Sequence, residues 1–154
     1  MFVVYLKQSV GKMIEISNLT KTFSDSVVLN NLSLVVEKGE VLGFLGPNGA
    51  GKSTTMRILT GFLSANKGTI KVNGQDLDSN AVDVKKMIGY LPEGAPSYGD
   101  MTVISFMKFI GEIRGYKGDE LSERINYVLG LVDLQGVSLQ AIETLSKGYK
   151  RRVG

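Results

Sequence analysis

Eight consecutive residues, Gly46-Pro47-Asn48-Gly49-Ala50-Gly51-Lys52-Ser53, carry the clearest chemistry in this sequence. They match G-x-x-x-x-G-K-[ST] at every fixed position, and Thr54 follows. Glycines at 46, 49 and 51 let the backbone curl so that several N–H groups point at one anion. A helix beginning near Lys52 adds its free N–H groups and the positive end of its dipole. Lys52 can reach the β- and γ-phosphates of a nucleoside triphosphate, and the Ser53 hydroxyl can coordinate Mg²⁺. An ordinary turn from strand to helix needs one glycine and no Lys-Ser pair at its exit. A nucleoside triphosphate with Mg²⁺ is therefore the expected ligand. The loop alone names no reaction, because kinases, GTPases and many ATPases share it.

Composition removes several other chemistries. The 154 residues contain no cysteine and no histidine. Disulfide frameworks, thiolate zinc sites and imidazole bases are therefore excluded within this sequence. Hydrophobic residues make up 43%, which suits a globular chain with a core. The net charge of +3 is unevenly spread, since residues 145–154 hold four of the 18 Lys and Arg and none of the 15 Asp and Glu. A basic tail on a nearly neutral body argues against a general nucleic-acid surface. No stretch approaches the roughly 18 apolar residues of a membrane-spanning helix. The short apolar run at 2–6 lacks the pattern of a signal peptide.

The elements that must position the loop can be read from periodicity and turn residues. Residues 13–23 and 27–36 are rich in Val, Ile, Leu and Thr and read as antiparallel strands split by Ser24-Asp25-Ser26. Glu37-Lys38-Gly39-Glu40 reads as a turn. Residues 41–45 form a continuous apolar run and are expected to be a strand buried on both faces. Residues 52–62 then read as a helix with Met56, Leu59 and Leu63 at core-facing spacing. Residues 68–72 and 87–91 are strand candidates, Asn73-Gly74 a turn, and 83–87 a short helix. Beyond the Pro- and Gly-rich stretch 92–99 the apolar spacing becomes helical, at Val103, Phe106, Met107, Ile110 and Ile113 and again at Leu121, Ile125, Val128, Leu129 and Val132.

The loop together with its neighbours resembles the ABC ATPase family from residue 13 to residue 154. Phe23, in Leu19-Thr20-Lys21-Thr22-Phe23, lies where the family places an aromatic that stacks on adenine. Ile88-Gly89-Tyr90-Leu91-Pro92-Glu93 resembles the segment ending in the Q-loop, with Glu93 where glutamine is usual. The resemblance implies that Glu93 approaches Mg²⁺ or the attacking water and that this loop senses a transmembrane partner. Leu145-Ser146-Lys147-Gly148-Tyr149 looks like the signature, usually Leu-Ser-Gly-Gly-Gln. Ser146 and Gly148 match it, whereas Lys147 and Tyr149 depart. In the family this segment caps the γ-phosphate held by a second subunit. The variants at 93, 147 and 149 resemble exporter-type and gliding-motility-type subunits more than importers.

The resemblance implies an α/β chain: a P-loop NTPase lobe with an antiparallel β subdomain plus a helical subdomain, an incomplete ABC ATPase fold. Residues 1–12 would be an N-terminal extension, 13–92 the β subdomain and P-loop core, and 93–154 the Q-loop and helical subdomain up to the signature. The implied function is that of the ATP-binding subunit of an exporter. It would pair with a transmembrane permease subunit and a second ATP-binding subunit, at the inner face of the membrane, with no nucleic-acid partner. The family's Asp-Glu strand and switch histidine follow the signature, and neither occurs here. Val128-Leu129-Gly130-Leu131-Val132-Asp133 precedes the signature and continues the helical spacing from Leu121, so it reads as helix. A C-terminally truncated ATPase that binds nucleotide and hydrolyses it poorly is the expectation. The alternatives are a soluble ABC ATPase acting on ribosomes or DNA, an unrelated phosphate-loop kinase or GTPase, and a nucleotide-binding remnant without turnover.

Overall fold

The structure is a computed structural model that describes residues 3–4, 11–92 and 98–154. Along the chain, β1 (Val3–Val4) is followed by β2 (Lys12–Phe23), β3 (Ser26–Glu37), β4 (Gly43–Phe44) and α1 (Lys52–Leu59). Then come β5 (Lys67–Val72), β6 (Gln75–Asp76), α2 (Ala81–Met87), α3 (Val103–Ile113), α4 (Gly118–Leu131) and α5 (Lys147–Val153). Two compact units result, Met1–Gly89 and Tyr90–Gly154. Among the described residues no helix is long and apolar enough to cross a membrane. Most of the segment 1–12 and all of the stretch 93–97 lie outside the described residues.

In the first unit, β2 and β3 form the expected antiparallel hairpin, and the sheet order is β3-β2-β5-β6, antiparallel throughout. Asn73 and Gly74 both take positive φ, at 49° and 78°, as a two-residue hairpin turn between β5 and β6 requires. Alternation along the strands, reset between Ile16 and Leu19 by an irregularity at which Asn18 takes positive φ, sends Ile16, Leu19, Leu29, Ile70 and Val72 to one side. There they bury with Ile58 of α1, Leu77, and Val84 of α2. The approach to α2 is held by Asp76, whose Oδ1 accepts from the backbone N–H of Asp78 and Ser79 and from the Ser79 hydroxyl, at 3.0–3.1 Å. The Ser79 bonds, with help from Asp78 and Lys71, hold the Asp76 carboxyl below its usual range.

Three sequence expectations differ here. The run 41–45 is a strand only at Gly43–Phe44, paired antiparallel with β1, and its flanks Val41 and Leu45 are 71% and 58% exposed. Apolar character gave the strand but could not supply the second neighbour that burial on both faces requires. Residues 88–91 run outside any strand, because α2 takes Met87 and no described strand pairs with them. α1 ends at Leu59 and not at residue 62; its buried residues are Thr55 and Ile58, with Leu59 and, beyond the helix, Leu63 packed at the core's edge and Met56 half-buried. The Thr55 hydroxyl donates to the Gly51 carbonyl at 2.9 Å, so a polar side chain sits inside at no loss of hydrogen bonding.

The second unit is helical. Thr102 caps α3 by accepting from the Ser105 N–H, and Asp119 and Glu120 place acid in the first turn of α4. Val103 and Phe106 of α3, Leu129 of α4, Leu134, Ile142, Leu145 and Val153 of α5 form its core. Residues 128–131 are helical as the spacing predicts, and Asp133 follows in the left-handed region at φ 54°. Its neighbour Leu134 closes the helix by donating to the Leu129 carbonyl at 2.9 Å.

Candidate functional site

The loop 46–51 leaves β4 and leads into α1 as the residue types demand. Gly49 and Gly51 stand at φ 83° and 81°, where a side chain is strained. Gly51 is constrained by space as well: a Cβ there would lie 2.5 Å from Leu29 Cδ2 and 2.9 Å from the Val28 carbonyl oxygen on β3. The Ala50 N–H closes the turn onto the Pro47 carbonyl at 3.2 Å. The first backbone bond of α1 runs from the Thr55 N–H to the Gly51 carbonyl at 2.8 Å. The amides of Lys52, Ser53 and Thr54 therefore lie at the helix end, where no acceptor exists within the helix. No side chain caps that end and no acid occupies its first turn.

Around this backbone, Gly46, Pro47, Asn48, Gly49, Ala50 and Ser53 are exposed, and Lys52 and Thr54 are half-buried. The Lys52 ammonium donates to the carbonyl oxygens of Gly46 and Pro47, both at 2.6 Å, so it is tethered to the loop it belongs to. The arrangement concentrates peptide N–H groups, a helix dipole and a cation, and suits a multiply charged phosphate. Among the described residues no group of three or more acidic, His or Cys side chains could hold a metal. A magnesium ion bound through phosphate oxygens and water, with Ser53 as the protein oxygen, fits this donor set.

Phe23 closes β2 and is 46% exposed. The hairpin that carries it also supports the loop: Leu29, which abuts Gly51, pairs across the strands with Lys21, two residues before Phe23. Sequence reasoning passes over two residues here. One is Thr55, which locks the loop's last carbonyl. The other is Lys21, whose ammonium sits 5.1 Å from the centre of the Phe23 ring. The spacing Lys-x-Phe on a strand, which puts both side chains on one face, is the available signal. Glu93 lies outside the described residues.

In the second unit Ser146 caps α5, its Oγ accepting from the Tyr149 N–H at 3.4 Å. Lys147 and Gly148 are exposed, and Lys147 has no hydrogen-bond or ionic partner among the described residues. A Cβ at Gly148 would meet nothing nearer than Ser146 Oγ at 3.9 Å. Tyr149 packs against the helical core and carries the Arg152 guanidinium 5.2 Å over its ring. Arg152 also pairs with Asp133 Oδ2 at 3.2 Å, and Lys150 donates to the Glu143 carbonyl at 2.7 Å. Arg152 is thus tied to both Tyr149 and Asp133. Asp133 serves as its anchor.

The sequence pattern of the ABC transporter family matches residues 29–154. The chain is 40% identical over 140 residues to an uncharacterized ABC transporter ATP-binding protein of Methanocaldococcus jannaschii, covering 91% of this chain and 49% of that protein. It is 31% identical over 141 residues to the Nod factor export ATP-binding protein I of Cupriavidus metallidurans, covering 92% and 46%. A solved structure of the ATP binding subunit of an ABC transporter superposes with a TM-score of 0.82 at 27% identity, over 92% of this chain and 59% of that one. The chain spans about half the length of the curated relatives it matches.

Proposed function

Since this chain belongs to the ABC transporter family, we propose that it is the ATP-binding subunit of a membrane transporter, an ATPase that couples nucleotide binding and hydrolysis to substrate export. The observation that carries the reading is the phosphate loop: Gly49 and Gly51 in the left-handed region, Lys52 bound to the loop's own carbonyls, and a helix end with no acid and no cap. Residues 46–54 hold the triphosphate, with Lys52 moving from the carbonyls of Gly46 and Pro47 to the β- and γ-phosphates. Phe23 stacks on adenine. Ser53 holds Mg²⁺, which when bound neutralises charge on the phosphate oxygens. Glu93 is assigned to the same metal or to the attacking water.

The segment Ser146-Lys147-Gly148-Tyr149 acts on a second ATP-binding subunit, capping the triphosphate held there. Its open glycine, and a lysine with no partner among the described residues, support that role, since neither is needed by packing within this unit. Residues 13–92 serve as the nucleotide-holding subdomain and 93–154 as the Q-loop and helical subdomain. A transmembrane permease subunit is the partner that converts closure into transport, which places this subunit on the inner face of the membrane. The export direction draws support from the relative named for Nod factor export. Calorimetry with ATP and Mg²⁺ tests the core of the proposal. Lys52→Ala should weaken ATP binding by roughly ten- to a hundredfold, as loss of a charge-assisted contact predicts. Equal affinity in the two proteins would remove Lys52 from the site.

A further inference from the structure

Lys21 is half-buried, and its ammonium is committed twice over: it donates to the Ser64 carbonyl at 2.8 Å and lies 5.1 Å from the Phe23 ring centre. The segment that supplies the carbonyl is itself laced to the end of β2. The Thr22 N–H donates to Asn66 Oδ1, and the Asn66 N–H donates to the Thr20 carbonyl, both at 2.9 Å. A cation thus covers part of the Phe23 ring and is fixed from behind, while the residue remains 46% exposed. An unsupported aromatic at the end of a strand would sample several rotamers, and ordering it on binding would weaken the complex.

We propose that Lys21 is a positioning residue for base recognition, holding the Phe23 ring so that its open surface receives a purine. The inference rests on the reading of Phe23 as the adenine-stacking residue. It assigns Lys21 no contact with phosphate, because its ammonium is already engaged by the Ser64 carbonyl and the ring. Loss of the cation should therefore weaken ligands that carry a base and spare those that do not. The effect should pass through Phe23 and vanish when that ring is absent. Arginine, which also places a cation over a ring, should substitute for lysine.

The test is titration calorimetry with ATP and, separately, with inorganic tripolyphosphate, both with Mg²⁺. Phe23→Ala should weaken ATP roughly five- to a hundredfold and leave tripolyphosphate unchanged. Lys21→Ala should weaken ATP about two- to fivefold, again sparing tripolyphosphate, and Lys21→Arg should restore it. Lys21→Gln, which keeps a donor for the Ser64 carbonyl without the charge, should behave as Lys21→Ala does. The double variant Lys21→Ala/Phe23→Ala should bind ATP no more weakly than Phe23→Ala alone. Equal loss of both ligands in Lys21→Ala and Lys21→Gln, or losses that multiply in the double variant, would overturn the proposal. An effect of Phe23→Ala with none from Lys21→Ala would overturn the role of Lys21 only. No effect of Phe23→Ala on ATP would overturn the stacking reading and the proposal with it.

Discussion

Two glycine-bearing helix starts, residues 46–51 before α1 and Ser146-Lys147-Gly148 at the head of α5, are held in opposite ways. In the first, the chain's own conformation demands two of the glycines: Gly49 and Gly51 have positive φ, and Gly51 is also pressed against Leu29 and the Val28 carbonyl. Its lysine is bound to the loop, yet the helix end has no side-chain cap. In the second, the helix is capped by Ser146, while Gly148 faces open space and Lys147 has no partner among the described residues. The α1 start is shaped by its own chain, with its peptide donors left for a ligand. The α5 start is capped by its own side chain and leaves its small residue and its charge outward. That contrast suits a site that grips an anion and a segment that meets one held elsewhere.

Substitution of the glycines should break the comparison most sharply if it is wrong. Gly51→Ala combines positive-φ strain of about 1–2 kcal/mol with overpacking that typically costs about 1–3 kcal/mol more. It should lower the thermal midpoint and abolish measurable ATP binding. Gly148→Ala should leave stability within about 0.5 kcal/mol of wild type, since the added methyl meets no atom it must displace. Similar losses from both changes would mean that the two helix starts are built alike.

Ser146→Ala should cost a smaller amount, about 1 kcal/mol by chemical denaturation, as removal of a helix cap does. The exchange Ser146→Asp, which keeps a cap, should recover it. A silent Ser146→Ala would show that α5 is held by the packing of Tyr149 and Val153 and by the Lys150–Glu143 and Arg152–Asp133 contacts without its cap.

The smallest effect concerns the turn that leads into α2, where Asp76 accepts from the amides of Asp78 and Ser79. Because its carboxyl is held below the usual range, the ion contributes stability above the unfolded-state pKa, and that contribution is lost as pH falls through the lower folded value. Wild type and Asp76→Asn should therefore converge in stability as pH drops below about 4 and differ above it. A difference that persists unchanged into acid would remove the carboxylate from the account. The start of α1 has no such group, and acid should not act on it in this way.

The hairpin, the Asn73-Gly74 turn, the helical second unit and the phosphate loop are all legible in the sequence, because each depends on residues close together along the chain. The loop is most legible because its glycines, lysine and serine are contiguous and each has a chemical reason. Asp133 is legible as lying outside a strand, since the spacing from Leu121 continues through Val132. The exposed flanks of β4 are not legible, nor is the failure of 88–91 to form a strand. Burial of a strand depends on partners that can come from anywhere in the chain. On α1 the apolar pattern points to Met56, and the buried Thr55 escapes it because its partner is a backbone carbonyl one turn away.

The sequence by itself determined the glycine-rich loop 46–51 and the order of elements around it, because φ preferences, helix ends and side-chain periodicity are local properties. Tertiary structure decided three further matters. Gly51 is fixed by space against β3 as well as by φ. Arg152 is spent on Asp133 and Tyr149, whereas Lys147 has no partner among the described residues. Lys21 stands over Phe23 because the segment 64–66 returns to the end of β2. Each depends on groups brought together by chain return. No local propensity encodes that, and only the folded packing sets it.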